Sequence, residues 1–332
     1  MNHRVRVLCI TGSSRSGSTI LGTALGQIDG IFCAGELQRI WDKDWLLDEH
    51  CSCGGPILDC PHWSGIFATA IGHYDAETAQ RIRRARNSVV RLHGLPRLLS
   101  AKSLDHLPGA VRDYVALTER LYHSIQQHTG CNVIVDTSKY PTYSYLLRLA
   151  PSLDVRVVHL VRDARAVVYS WQRIKSYPTA KGTRYMERHT APRSAAAWAI
   201  LNSLADFLWE RDATHFCLIR YEDFIAQPRR TFQTILTHVG EPDAVPPLIG
   251  DEVLHIRSHH IIAGNANRFQ TGRVKLSLDS EWRRKLGRLD ALVATAMTFP
   301  LLRKYGYLQS AKAPAVSTAA HSTATQRDVP TP

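Results

Sequence analysis

Apolar and polar positions along this chain switch between the strand period and the helix period. Val5-Arg6-Val7-Leu8-Cys9-Ile10-Thr11 is a short apolar run, which predicts a buried strand. Gly12 to Gly17 is a stretch of small and polar residues, which predicts a tight loop. Ile20, Leu21, Ala24, Leu25 and Ile28 then fall on one face of a helix. A second strand is predicted at Ile31-Phe32-Cys33-Ala34, followed by Gly35-Glu36-Leu37. Residues about 41 to 130 break the alternation, with helical stretches rich in Arg between roughly 77 and 127. This excursion reads as a cap or substrate-facing subdomain.

Regular alternation resumes with a strand at Asn132 to Asp136 and a helix from Tyr143 to Leu149. A strand at Val155 to Val161 leads to a helix beginning near Asp163. A long helix spans Ser194 to Trp209, and His215 to Tyr221 reads as another strand. Strands rich in Val and Ile that alternate with helices predict an α/β fold with a mainly parallel sheet and helices on both faces. Ligands of such sheets bind at the C-terminal strand ends. Arg15, Glu36, Lys139, Arg162 and Tyr221 all lie just past predicted strand ends. One domain over residues 1–308 is expected. Residues 309–332 are mostly Ala, Ser, Thr and Pro, and such a tail cannot offset its ordering entropy, so disorder is expected there.

The first loop carries the sharpest chemistry. Backbone N–H groups at a helix start are free, and the helix dipole favours an anion there. The spacing Gly12-x-x-x-x-Gly17 matches a nucleotide P-loop, and Thr19 holds its hydroxyl position. Ser18 stands where that loop has Lys, and a cation appears earlier as Arg15. The loop therefore suits a phosphate-like group without the usual triphosphate and Mg²⁺ arrangement. In Arg162-Asp163-Ala164-Arg165-Ala166-Val167-Val168-Tyr169-Ser170, an Arg closes a strand and a Ser follows eight residues on. An Arg fork suits bidentate contact with a phosphate, although a salt bridge to Asp163 would also explain it.

Composition adds direction. A hydrophobic content of 44% with 21% charged residues indicates a globular chain, and the net charge of +12 suits anionic ligands. No stretch reaches the roughly 18 apolar residues needed to cross a bilayer. The first strand begins within a few residues of Met1, so no secretory signal is expected and the cytoplasm is the expected compartment. Cys51, Cys53 and Cys60 form a C-x-C-x₆-C cluster with His62 close behind. A metal or a disulfide would explain it, but the spacing fits no zinc module and no metal is assigned.

With both anion motifs in view, the chain resembles the sulfotransferases that use 3′-phosphoadenosine 5′-phosphosulfate (PAPS), a P-loop-like fold. Gly12 to Thr19 resembles that family's 5′-phosphosulfate loop. Arg162 and Ser170 match its 3′-phosphate motif. The form Arg15-Ser16-Gly17-Ser18-Thr19 is closer to the carbohydrate and tyrosylprotein branches. Gly264-Asn265-Ala266-Asn267-Arg268-Phe269 is similar to a C-terminal motif of bacterial members, as is the Cys51 to Trp63 stretch. The resemblance covers residues 4 to about 307.

It implies a nucleotide sulfonate donor and a hydroxyl-bearing acceptor, with no metal and no specific nucleic acid required. Ser16, Gly17, Ser18 and Thr19 would hold the 5′-phosphate, and Arg15 the sulfonate and bridging oxygens. Glu36 is expected to act as general base and Lys139 to contact the leaving oxygen. Tyr221 is expected on the adenine side, with Gly264, Asn265 and Arg268 closing over the 3′-phosphate and adenine. The acceptor pocket should be drawn from Trp41 to Gln127 and from Ile174 to Arg193. Two other readings compete: a small-molecule kinase of related fold, and a non-catalytic basic protein that binds polyanions.

Overall fold

The computed structural model describes residues 4–308 except 73–75 and 180, so the expected C-terminal tail lies outside the described residues. Ten strands are present among them: β1 (Val5–Thr11), β2 (Ile31–Gly35), β3 (Val133–Lys139), β4 (Leu153–Val161), β5 (Ser176–Thr179), β6 (Gly182–Tyr185), β7 (Phe216–Arg220), β8 (Leu248–Ile249), β9 (Val253–Ile256) and β10 (Gly272–Lys275). Five of them form the central sheet in the order β2-β3-β1-β4-β7, and every pairing is parallel. The C-terminal ends of all five therefore meet at one edge. The hairpin β5–β6 and the small antiparallel sheet β10-β9-β8 stand apart from it.

Side-chain alternation explains how both faces are buried. Val5, Val7 and Cys9 of β1 face a core containing Trp41, Trp63, Tyr114 and Tyr122, all from the excursion. Leu8 and Ile10 face the opposite way, onto Leu21 and Leu25 of the first helix and Phe232 of a later one. The excursion thus supplies one of the two layers that cover the sheet, besides bordering the larger cavity described below. Trp63 is completely buried. Truncating such a residue typically costs ~3–5 kcal/mol, so this layer is integral to the fold.

The element boundaries follow local chemistry. β3 runs past Asp136 to Lys139 although Thr137 and Ser138 are polar, because the buried strand end satisfies its own polar groups. Asp136 accepts from Ser138 N at 2.7 Å and from Tyr122 OH at 2.7 Å. The long helix begins at Ala191, ahead of the expected Ser194, with a Pro in its first turn where a missing N–H costs nothing. Tyr221 opens the helix Tyr221–Ala226 and so stands just beyond β7. Asp163 caps the helix Ala164–Gln172, its side chain accepting from Arg165 N at 2.9 Å.

Candidate active site

The loop after β1 turns through a left-handed Gly17 at φ 96° and enters the helix Ser18–Leu25. A Cβ on Gly17 would also meet the Tyr221 ring at 2.4 Å, so only Gly fits. Ser16, Ser18 and Thr19 are buried beside it, at the start of a helix with no side-chain cap. The N–H groups of that first turn are left for an anion.

Arg15 is almost fully buried, and its guanidinium donates to Asn265 Oδ1 at 2.5 Å. It also lies over the Trp171 ring, 4.6 Å from the centroid. Burial lowers the Arg15 pKa, against the attraction of Glu36. Arg162 stands next to it, donating to the Arg15 carbonyl at 3.3 Å. The Arg162 guanidinium lies over Tyr221 at 4.7 Å and faces Asp279 at 3.5 Å. Ser170 is buried on the helix that starts behind Arg162. Trp198 donates from Nε1 to the Arg162 carbonyl at 2.9 Å and holds that strand end in place.

Glu36, just past β2, is ion-paired with Lys139 at the end of β3. Burial alone would raise the Glu36 pKa, but Lys139, Arg39 and Arg268 outweigh it and hold the carboxyl below its usual range. The carboxylate is therefore ionised at neutral pH. Asp136 sits at the base of the same strand end, and burial pushes its carboxyl up to about 6 against the pull of Ser138 and Tyr122. His159 is completely buried between Asn202 and Asp206, at 2.8 and 3.2 Å, and has no access to the edge.

The third component comes from far along the chain. The strap 257–269 crosses the sheet edge, with Ile262 N donating to Ala34 O at 3.1 Å and Glu36 N donating to Ile262 O at 3.0 Å. Gly35 allows this approach, since a Cβ there would lie 1.9 Å from Ile262 O. Asn265 N donates to Thr19 Oγ1 at 3.2 Å, so the strap closes against the first helix as well as against Arg15. Arg268 departs from the expected phosphate contact. It is completely buried, donating to Glu49 at 2.5 Å and to Gly264 O at 2.9 Å. Its guanidinium shapes the strap from beneath. Tyr221 likewise serves the loop, packed on Gly17 and under Arg162.

Two cavities open on this edge. One of about 420 Å³ is lined by Arg15, Trp171, Tyr177, Arg184, Met186 and Asn265, among others. The other, of about 710 Å³, draws on the excursion through Arg83, Arg86 and Val90, and on the long helix through Ile200, Leu201 and Leu204. Ser14, Glu36, Arg39 and Lys139 line both. The structure thus brings Arg15, Glu36, Lys139, Arg162, Gly264 and Asn265 to one edge.

Some residues of the site escaped the sequence reading. Trp171 supports Arg15, and Lys175 adds a cation whose pKa falls to about 8 through burial and the nearby Arg15, Arg173 and Arg162. Such a lowered Lys marks a strongly positive locus. Its only sequence signal is the density of cations in Arg173-Ile174-Lys175 after the Arg162 motif.

Comparison with known proteins shows the family. The sulfotransferase family profile matches residues 8–245. A sulfotransferase domain from the curacin biosynthetic pathway superposes with a TM-score of 0.50 at 17% identity, covering 90% of this chain and 98% of that one. A sulfotransferase domain of the Synechococcus PCC 7002 olefin synthase gives 0.45 at 17% identity, covering 89% and 95%. A sulfotransferase from Mycobacterium avium gives 0.41 at 14%, covering 92% and 77%. No curated protein sequence matches the chain. Among the described residues no helix is long and apolar enough to cross a membrane. With a family profile spanning more than two thirds of its length, this chain belongs to the sulfotransferase family.

Proposed function

We propose that this protein transfers the sulfonate of PAPS directly to a hydroxyl of a carbohydrate, glycolipid or small metabolite. The observation that carries the reading is the Glu36–Lys139 pair, which borders both cavities at the same sheet edge as the anion loop. One substrate would approach through each cavity, and the reacting atoms would meet at the pair.

The residue roles follow from the charge each step must handle. The donor carries two anionic ends, and two groups on this edge would take one each: the loop Ser16–Thr19 and the Arg162–Ser170 unit. The acceptor oxygen forms a bond to sulfur while the bond from sulfur to the bridging oxygen breaks. The acceptor proton passes to Glu36, and the electron pair of the broken bond stays on the departing 5′-phosphate. Glu36 is ionised and so free to accept the proton, while Lys139, Arg39 and Arg268 reduce its basicity. Lys139 and Arg15 offset the charge that grows on the bridging and sulfonate oxygens. Asn265 and Trp171 hold Arg15 in one orientation, which keeps this electrostatic help preorganised. Arg268 acts only through the strap.

Calorimetric titration with 3′-phosphoadenosine 5′-phosphate (PAP), run beside ADP with Mg²⁺, tests the donor assignment. The expected result is micromolar binding of PAP that is lost when the 3′-phosphate is removed. A preference for ADP with Mg²⁺ would overturn it and favour a kinase.

A further inference from the structure

The cysteine cluster lies outside the site just described, and its fourth member is not the neighbour that the sequence suggests. Cys51, Cys53 and Cys60 converge on His260, which comes from the strap some 200 residues away. Their Sγ atoms and one ring nitrogen all lie within 4.8 Å of one another. His260 Nδ1 is 3.2 Å from Cys60 Sγ and 3.8 Å from Cys51 Sγ, and Cys53 Sγ is 3.9 Å from Cys60 Sγ. A tetrahedral zinc ion with Zn–S of about 2.3 Å and Zn–N of about 2.0 Å sets its ligand atoms roughly 3.5–3.8 Å apart. A disulfide needs its sulfurs at about 2.05 Å, and all seven cysteines are free. His62 packs against the His260 ring in a tilted arrangement, with centroids 4.0 Å apart, and so backs the ligand.

We propose that Cys51, Cys53, Cys60 and His260 form a closed structural zinc site that clamps the excursion to the strap. Four protein ligands leave no open position, so the ion stabilises and takes no part in group transfer. The surroundings agree with a clamp. Ser52 N donates to Ile261 O at 3.0 Å, Ser52 Oγ donates to His259 O at 2.7 Å, and Trp63 Nε1 donates to His260 O at 2.7 Å. The same strap carries Asn265 to Arg15, so an ion here would fix the edge of the candidate active site from outside. Binding releases the thiol protons to solvent, and the ion's free energy adds to that of folding. This inference stands whether or not the donor is PAPS.

Elemental mass spectrometry of untagged protein, purified without chelator and offered stoichiometric Zn²⁺, tests it. One zinc per chain is expected, together with loss of that zinc when the thiols are alkylated under denaturing conditions. Replacement by Co²⁺ should give intense thiolate-to-cobalt absorption in the near ultraviolet. Cys53 is exposed, so Cys53→Ser should keep the fold, judged by circular dichroism, and lose most of the metal and of the cobalt band. A metal-free wild-type chain after Zn²⁺ addition, a mapped disulfide among the three cysteines, or an unchanged cobalt spectrum in Cys53→Ser would each overturn the proposal.

Discussion

Of the carboxylate–cation pairs that meet the strap, Glu49–Arg268 and Glu36–Lys139 differ in what surrounds them. Glu49–Arg268 is buried, with side-chain exposures of 1% and 0%, touches only the smaller cavity through Glu49, and its guanidinium also binds Gly264 O. Glu36–Lys139 has exposures of 13% and 10% and borders both cavities. A buried pair costs much desolvation, offset here by hydrogen bonds from the guanidinium to Glu49 and Gly264 O, so it fixes shape. A more accessible pair at strand ends can exchange partners with a substrate, which is why the proposed chemistry is assigned to it. On the proposed function, a carboxylate–cation pair serves once as scaffold and once as reagent.

The comparison is sharpened first by breaking the scaffold. Arg268→Met leaves Glu49 buried without its partner, and a loss of ~3–5 kcal/mol in stability is expected, read as a lower denaturation midpoint in urea. Arg15→Ala should act the other way, leaving the midpoint near wild type while turnover falls ~10²–10³-fold, since it removes one preorganised charge from the reacting oxygens. Arg162→Ala should weaken PAP binding by about 1.5–3 kcal/mol in a calorimetric titration, the usual worth of a charge-assisted contact.

The smallest effect is one of pH. Lys175 has its pKa lowered to about 8, so it is charged below that value and neutral above it. PAP affinity should therefore fall as pH rises through about 8, and Lys175→Met should flatten that part of the profile. Equal slopes in both proteins would place Lys175 outside the donor's reach.

How much of this was legible in the sequence depended on the range of the interaction. The turn from β1 into the first helix was readable because Gly12, Gly17 and the helix start lie within a few residues of one another, and their chemistry is local. The parallel sheet was readable because its strands are buried on both faces and so appear as continuous apolar runs. The convergence of Arg15, Glu36, Lys139 and Arg162 followed from the rule that such sheets bind ligands at their C-terminal ends.

The strap was not readable in the same way. Arg268 looked like a phosphate ligand because nothing local distinguishes an open Arg from one paired with Glu49, 219 positions away. The cysteine cluster looked incomplete because its fourth member is 200 positions from Cys60. Lys175 escaped because its lowered pKa arises from burial first, and then from charges such as Arg15 and Arg162 that only the fold brings near it.

The central claim is that Glu36 takes the acceptor proton and is dispensable for donor binding. Glu36→Gln tests this most directly, with PAP affinity and transfer of labelled sulfonate to a panel of phenolic and sugar acceptors measured on the same preparation. PAP affinity close to wild type is predicted, with turnover reduced ~10²–10⁴-fold, the usual contribution of a general base. Wild-type turnover in Glu36→Gln would contradict the account.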